Sequence, residues 1–274
     1  MQANFLKVIF SPLEQFCIVP LFTFNVGFMN FCVTNETIFL FCFLLFFVIF
    51  IKSLVNQKDN SLSVIGHNCQ YVLLLIYRYI GDLIALVMDI EEGEKYMPLF
   101  FSVFLYVTGL NLFGLVPFSF SLTSQFVVTL SLSFTLFLTL NFIGFKNYGL
   151  KMFSLFYPKN IDVYIGLFLT PIEIISYIFR PISLGLRLAI NMMGGHILIK
   201  VIAGLAWTLM KASGILFLLH LIPIAILIPL VILEFFVAIL QGLIFTSLLI
   251  VYLGDILSLS REIKKNAKPV YTQN

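Results

Sequence analysis

Long apolar runs separated by short polar links dominate the chain. Residues 37–53 read TIFLFCFLLFFVIFIKS, and two further runs, 97–116 and 122–144, are joined by VPFSFSL, which carries no charge. Each run can cross the roughly 30 Å hydrocarbon core of a bilayer as a helix, the first one with help from its flanking residues. Because the link between the second and third runs is so short, these runs are predicted to form an antiparallel helical hairpin.

A different kind of segment lies between the first two runs. Residues 64–92 are apolar but carry Arg78, Asp82 and Asp89. Arg78 and Asp82 are four residues apart and can pair on one face of a helix. This pattern predicts an amphipathic helix lying at the membrane surface, and a sixth crossing is the alternative.

The two longest apolar stretches are residues 163–212 and 215–258, divided near KASG. Fifty helical residues would be about 75 Å long, against roughly 30 Å of hydrocarbon. Each stretch therefore either bends back on itself or forms a strongly tilted helix. No polar loop interrupts them, which favours tilted helices with kinks at Pro171, Pro181 and Gly194–Gly195.

The composition agrees with a membrane protein. Of 274 residues, 61% are hydrophobic and 11% are charged, whereas a soluble domain carries about 25% charged residues. We therefore expect an all-α integral membrane protein that forms a single membrane domain over residues 1–274 in the lipid bilayer. It should have about five membrane helices plus one surface amphipathic helix, with the last two helices long and strongly tilted. The net charge of +3 and the lack of a basic cluster argue against a nucleic-acid partner.

Basic residues are unequally distributed between the two sides of this predicted arrangement. With five crossings, Lys7 and Lys211 fall on one side, and most of the other basic residues fall on the opposite side. The second group is Lys52, Lys58, Lys146, Lys151, Lys159, Arg261, Lys264, Lys265 and Lys268. The positive-inside rule then places the C-terminus and the loops at 52–62 and 145–160 inside, and the N-terminus outside.

Most of the intramembrane polarity lies in the two long stretches. The first carries Glu173, Arg180, Arg187, Asn191, His196 and Lys200, and the second carries His220, Glu234, Gln241 and Asp255. Ionisable groups at membrane depth are costly and usually face a partner or a water-filled cavity. The four cysteines show no CxxC spacing and the three histidines are scattered, so we expect neither a metal site nor a cofactor.

The spacing of the polar residues predicts two stripes that face each other. Glu173, Arg180 and Arg187 are seven residues apart, so they share a helix face, and Glu234 and Gln241 repeat the same spacing. Asn191 continues the first stripe one turn beyond Arg187. His196 comes nine residues after Arg187, about 180° around an ideal helix, and so faces a different environment.

Simpler structural roles remain open for several of these residues. Glu173 and Arg180 could form a buried ion pair that locks helices together. Lys200, Lys211 and Asp255 could extend to the membrane interface. Arg187 has no acid within four residues, and a guanidinium does not lose its proton. It therefore needs a carboxylate from another helix or another subunit.

Four segments resemble a known family. RPISLGLRLAINMMGGHILIK, residues 180–200, is similar to the signature helix of subunit a of F-type ATP synthases. NLFGLVPFSFSLTSQFVVTLSLSF resembles the central hairpin of that family, and LEFFVAILQGLIFTSLLIVYL resembles its last helix. SPLEQF, near the N-terminus, resembles the opening of mitochondrial members.

The resemblance implies roles for individual residues. Arg187 corresponds to the essential arginine that faces a rotating ring of c subunits, with Gln241 and Asn191 near it. His196 and Glu234 match a pair in its mitochondrial arrangement and would load protons from the outer side. Glu173 fits an acid of the inner path. Arg180, which is less typical of the family, is a possible accessory residue, as are His220 and Asp255.

The implied function is that of the proton-translocating stator subunit of ATP synthase. Two offset half-channels would pass H⁺ to and from the c-ring carboxylates, with Arg187 between them. No GxxxxGK[ST] motif is present, so nucleotide chemistry belongs to other subunits and this chain would be non-catalytic. Expected partners are the c ring, the peripheral stalk and other membrane-sector subunits, in a dimeric complex. The expected location is the mitochondrial inner membrane, with the N-terminus in the intermembrane space and the C-terminus in the matrix.

Two other classes remain as alternatives. A secondary transporter predicts an internal repeat with paired broken helices, but residues 97–144 and 163–258 differ in length and polarity. A quinone-binding respiratory subunit would also carry intramembrane acids. It would not be expected to combine Arg187 with Gln241.

Overall fold

Seven α-helices and one β-hairpin make up most of the described chain. The computed structural model describes residues 13–26, 29–55, 67–116, 119–149, 152, 163–211 and 218–267. The helices are α1 Asn35–Val55, α2 His67–Val87, α3 Ile90–Gly93, α4 Met97–Gly114, α5 Phe126–Tyr148, α6 Val163–Met210 and α7 Leu221–Ala267. Short 3₁₀ turns lie at Glu14–Phe16, Glu94–Tyr96 and Leu122–Ser124. This helical architecture confirms the predicted fold class.

Five of these helices are long and apolar enough to cross a membrane. They are α1, α4 with the turn before it, α5, α6 and α7, which correspond to the five predicted crossings. Helix α2 is not among these candidates. It buries Ile80 and Ile84 and exposes Arg78 and Asp82, so it has the two-sided character that its sequence predicts. Its position at the membrane surface stays a prediction.

The two long stretches form two long helices. Helix α6 has 48 residues and α7 has 47, or about 70 Å each at 1.5 Å per residue. Helix α6 continues through Pro171, Pro181 and Gly194–Gly195. The alternative that each stretch bends back on itself is therefore wrong. Helices of this length fit a hydrocarbon layer of roughly 30 Å only when inclined or curved.

A two-stranded antiparallel hairpin precedes α1, in a region for which the apolar runs predict no element. Strand β1 spans Pro20–Val26 and strand β2 spans Met29–Thr34. Helix α1 then begins directly after β2. The Thr34 N–H donates to Thr37 Oγ1 at 3.0 Å and the Thr37 N–H donates to Thr34 Oγ1 at 3.4 Å. Each side chain thus accepts from a backbone N–H that the first turn would otherwise leave unpaired.

The chain divides into two compact units. The first unit comprises Met1–Gly66, Leu105–Thr129 and Arg187–Leu243. Its apolar core contains the buried side chains of Phe43, Leu110, Phe120 and Leu122. Aromatic and aliphatic side chains of α1 and α4 pack against this core, namely Phe39, Leu40, Phe47, Tyr106 and Phe113.

Helices α4 and α7 approach closely within the first unit. A Cβ on Gly242 would lie 2.1 Å from Thr108 Oγ1, so only glycine fits at this contact. One turn away, Asn111 Nδ2 donates to the Ala238 carbonyl at 3.1 Å. Small residues and interhelical polar contacts are typical of helix packing in membranes. This packing fixes the part of α7 that carries Glu234 and Gln241.

The second unit comprises His67–Phe104, Leu130–Leu186 and Ile244–Asn274. A Cβ on Gly254 would lie 2.3 Å from Val87 Cγ1, so α7 and α2 touch at a glycine. The Tyr177 hydroxyl on α6 donates a hydrogen bond to Asn141 Oδ1 on α5. These contacts join helices that are far apart in sequence and hold the part of α6 that carries Arg180.

Candidate functional site

The part of α6 that begins at Arg187 has two distinct faces. Leu188, Ala189 and Met192 are 0% exposed. The opposite face is exposed and contains Arg187, Ile190, Asn191 and Gly194. Because successive residues rotate by about 100° around a helix, these four residues form one stripe. Arg187 therefore lies on the side of α6 that no other described residue of the chain covers.

Arg187 has no acidic partner in the part of the chain that the structure describes. No side-chain hydrogen bond or ion pair of its guanidinium occurs there. Its stripe is also open at Gly194, where an added Cβ would meet nothing within 4 Å. A permanently charged group on an open face at membrane depth requires a partner. The open face offers room for one from outside this chain.

Asn191 and Gln241 join α6 to α7 one turn beyond Arg187. Asn191 Nδ2 donates to Gln241 Oε1 at 2.9 Å. Gln241 is 3% exposed, so this hydrogen bond satisfies a side chain that water does not reach freely. The contact confirms that the Asn191 and Gln241 positions of the two polar stripes meet.

His196 and Glu234 form the second contact between these helices. His196 Nδ1 lies 3.7 Å from Glu234 Oε1, and the two side chains are 19% and 4% exposed. A distance of 3.7 Å is too long for a direct hydrogen bond. From Asn191 to His196 the residue numbers on α6 rise, while those of their partners on α7 fall from Gln241 to Glu234. Helices α6 and α7 are therefore antiparallel within the first unit. As its sequence position predicts, His196 faces an environment different from that of Arg187.

Gly195 allows Glu234 to approach α6. A Cβ at this position would lie 2.7 Å from Glu234 Oε1 and 3.0 Å from its carboxyl carbon. Both distances are shorter than ordinary van der Waals contact, so a larger residue would displace the carboxylate. The two glycines thus lie on different faces of α6: the space beside Gly194 is open, and the space beside Gly195 is occupied by the Glu234 carboxylate.

A cavity of about 900 Å³ in the first unit is lined by both His196 and Glu234. Its polar lining also includes Gln15, Asn35, Ser119 and Lys200. Two buried polar atoms at this site, His196 Nε2 and Glu234 Oε1, have no hydrogen-bond partner among the described residues. A cavity of this size with several polar groups can hold hydrogen-bonded water. This cavity is called the outer cavity, after the side to which the family resemblance assigns His196 and Glu234.

Arg180 has an acidic partner on α7 within the second unit. Its Nη1 donates to Asp255 Oδ2 at 3.0 Å. The guanidinium also lies over the rings of Tyr177 and Tyr252, at 5.5 and 5.3 Å from their centroids, a cation–π arrangement. The suggested Glu173–Arg180 ion pair is therefore wrong, and Asp255 is more than an interfacial side chain. Glu173 is half-buried and has no hydrogen-bond or ion-pair partner in the described chain.

Three further residues singled out by the sequence are His220, Lys211 and Lys200. His220 is half-buried just before α7 begins. Lys211 is exposed at the end of α6 and lies 5.1 Å from the ring centroid of Trp207. Lys200 lines the outer cavity, so simple extension to the interface does not describe its whole environment.

Three residues of the site were not predicted as functional. Gln15 and Asn35 line the outer cavity, and Asn111 holds α4 against α7. Gln15 lies in SPLEQF and Asn111 opens NLFGLVPFSFSL, two of the segments that carry the family resemblance. For Gln15 and Asn111 the only available signal was therefore motif membership, because neither side chain is charged.

Comparisons with known proteins agree with the resemblance. The model of the family described as ATP synthase A chain matches residues 37–254. The chain is 40% identical over 259 residues to ATP synthase subunit a of Chondrus crispus, covering 94% of this chain and 100% of that protein. It is 36% identical over 251 residues to the Marchantia polymorpha subunit, covering 91% and 98%. For the Brassica napus subunit, the identity is 37% over 253 residues, covering 91% and 96%.

The adjacent glycines provide a matched pair for testing the helix contact. We expect Gly195→Ala to move the Glu234 carboxylate away from His196 and to destabilise the packing by about 1–3 kcal/mol, as overpacking commonly does. Gly194→Ala should leave the Glu234 carboxylate in place, because its Cβ would enter open space. Density maps of the two variants in the assembled complex would measure the His196–Glu234 distance. An unchanged distance in Gly195→Ala would contradict this account of the contact.

Proposed function

Because this chain belongs to the ATP synthase A chain family and is the proton-translocating stator subunit of that complex, we propose that Arg187 faces the carboxylates of a rotating c ring. In this proposal Arg187 stands between two offset aqueous half-channels. The observation that carries the proposal is the exposed position of Arg187 without a carboxylate among the described residues. Membership in this family excludes the secondary-transporter and quinone-binding alternatives.

The charge on Arg187 has two effects on a passing ring carboxylate. A carboxyl group facing lipid is neutral, because an isolated carboxylate in an apolar medium is very unfavourable. Beside a guanidinium the ionised form becomes accessible, so the ring group can release its proton at one angular position. The same positive charge repels a proton that would otherwise pass directly from one half-channel to the other. Guanidinium suits both tasks because it stays charged.

The outer half-channel runs through the outer cavity. Its lining brings together His196, Glu234 and Lys200 with neutral polar groups. Imidazole and carboxylate side chains are the usual groups that accept and donate protons in proteins. The 3.7 Å separation of His196 and Glu234 leaves a direct hydrogen bond unmade, so transfer between them passes through water. Protons then reach the ring near Asn191 and Gln241.

The inner half-channel involves Glu173. In this proposal it accepts protons released from the ring and passes them to the inner side. Arg180 and Asp255 assist as accessory groups: their ion pair, with side chains 28% and 45% exposed, keeps both charges satisfied. His220 is a further accessory candidate. No metal or cofactor takes part, and H⁺ is the translocated ion.

Membership in the family implies association with other ATP synthase subunits. We propose that the partners are the c ring, the peripheral stalk and further membrane-sector subunits, within a dimeric complex. The location is the mitochondrial inner membrane, with the N-terminus in the intermembrane space and the C-terminus in the matrix. The asymmetric distribution of basic residues supports this orientation.

The role of Arg187 leads to a direct test. Arg187→Ala should abolish ATP-driven proton pumping while the complex still assembles, and it should open a passive proton leak. Arg187→Lys should be nearly as harmful, because an ammonium is a point donor on a different stem and can deprotonate when buried. Proton pumping by the purified complex in liposomes, with assembly checked on a native gel, measures both. Pumping by Arg187→Ala at near wild-type rates would mean that Arg187 is only a structural cation.

A second test separates Glu234 from a charged residue outside the cavity. Glu234→Gln should lower proton flux by on the order of a hundredfold, the lower end of what a positioned proton-transfer group contributes. Lys211→Gln is the control, since Lys211 is exposed beside Trp207 at the end of α6, and it should retain wild-type flux. Flux would be measured in vesicles with an imposed gradient. Equal effects of the two substitutions would exclude an outer half-channel at Glu234.

A further inference from the structure

The N-terminal segment Leu13–Val19 is tied to the helices around the outer cavity. Gln125 Nε2 donates to the Phe16 carbonyl at 2.8 Å. Asn35 Nδ2 donates to the Cys17 carbonyl at 3.2 Å, and the Val19 N–H donates to Asn35 Oδ1 at 3.1 Å. The side-chain amides of Gln125, directly before α5, and of Asn35, at the start of α1, therefore hold this segment in place.

Phe16 and Gln15 connect this segment to the proton-transfer residues. The Phe16 ring meets the His196 imidazole edge to face, with centroids 6.4 Å apart and planes at 72°, a favoured geometry for such rings. Gln15 lines the same cavity as His196 and Glu234. Its Nε2 is buried and has no hydrogen-bond partner among the described residues. A buried amide donor without a protein partner requires another hydrogen-bonding group, and water is the one that the cavity can admit.

The His196–Glu234 geometry requires such support. Transfer through water between groups 3.7 Å apart depends on a fixed imidazole and on an ordered water nearby. A packed aromatic ring restricts the imidazole. An amide side chain can donate two hydrogen bonds and accept others at once, so it can orient water without itself taking up a proton.

We propose that Gln15 and Phe16, held in place within the segment Leu13–Val19, form a wall at the outer cavity, in which Phe16 positions the His196 imidazole and Gln15 holds the water that leads to it. This inference rests on the proposed outer half-channel. It assigns positioning roles to two uncharged residues of the N-terminal segment. Neither residue exchanges a proton itself.

Labelling of the assembled complex tests the role of Gln15. Cys17, Cys32, Cys42 and Cys69 are first replaced by Ser, and Gln15→Cys is added. Membrane-impermeant methanethiosulfonates of similar size, one cationic and one anionic, are then applied from the outer side. Because a fixed cation repels protons, the cationic reagent should lower proton flux more than the anionic reagent does. The expected loss is on the order of tenfold, which is smaller than the hundredfold that a small misplacement of a reacting group can cost. A purely structural disturbance would affect flux equally with both reagents.

Leu13→Cys is the matched control. Leu13 lies two residues away, is 60% exposed and does not line the outer cavity. Its labelling should leave flux unchanged with either reagent. Because labelling follows assembly, a defect in folding does not obscure the result. Full flux after labelling of Gln15→Cys, or equal inhibition by the two reagents, would overturn the proposal for Gln15.

Two substitutions test Phe16. Phe16→Leu removes the ring and should lower proton flux by about tenfold, within the range expected when a reacting group such as the His196 imidazole is misplaced. Phe16→Tyr retains the ring and should keep proton flux close to that of the wild type. Equal losses in both variants, with normal assembly on a native gel, would overturn the role of Phe16. If Glu234→Gln lowers flux while labelled Gln15→Cys does not, only the proposed role of the wall is wrong. If Glu234→Gln also retains full flux, the proposed outer half-channel is wrong as well.

Discussion

A charge in hydrocarbon must be compensated, and this constraint separates the two arginines of α6. A guanidinium cannot escape the cost by losing its proton. Arg180 meets the requirement within the chain, through Asp255 and the rings of Tyr177 and Tyr252. Arg187 does not meet it among the described residues, and its face of the helix is open. One arginine is therefore part of the internal packing, and the other presents an unsatisfied charge to whatever lies beside the subunit.

The antiparallel packing of α6 and α7 in the first unit arranges the groups that would serve this charge. Asn191 and Gln241 use a direct hydrogen bond, while His196 and Glu234 keep a separation that water can bridge. Two glycines support this packing: Gly195 admits the Glu234 carboxylate, and Gly242 lets α4 approach the part of α7 that carries Glu234 and Gln241. The length of the helices allows the polar groups to be distributed over many turns. A pair of short upright helices would have to crowd them together.

Hydrophobic patterning was sufficient to predict the helices. Apolar length alone identifies α1, α4, α5, α6 and α7, since a membrane leaves a helix as the simplest way to satisfy the backbone. Helical periodicity predicted that the two polar stripes face each other, and the hydrogen bond between Asn191 and Gln241 agrees with that prediction. Family resemblance, rather than spacing, suggested the pairing of His196 with Glu234.

Periodicity could not show which partner each charge selects. Glu173 lies on the same helix face as Arg180, yet Arg180 pairs with Asp255, 75 residues later in the chain. That choice depends on how α6 and α7 are aligned, which no local pattern encodes. The hairpin of β1 and β2, the cavity position of Gln15 and the contact of Phe16 with His196 could not be predicted from periodicity. These segments are short and have no long apolar period, and tertiary hydrogen bonds from Gln125 and Asn35 decide where the segment before the hairpin lies.

The proposed partner of Arg187 is a carboxylate of the rotating ring. A high-resolution density map of the complete complex would show which acidic group lies nearest to the Arg187 guanidinium. We expect a ring carboxylate opposite the exposed stripe of Arg187 and Asn191, with no acid of this chain within ion-pair distance of Arg187. A map in which the guanidinium pairs with a carboxylate of this chain, or turns away from the ring, would mean that Arg187 does not act on the ring.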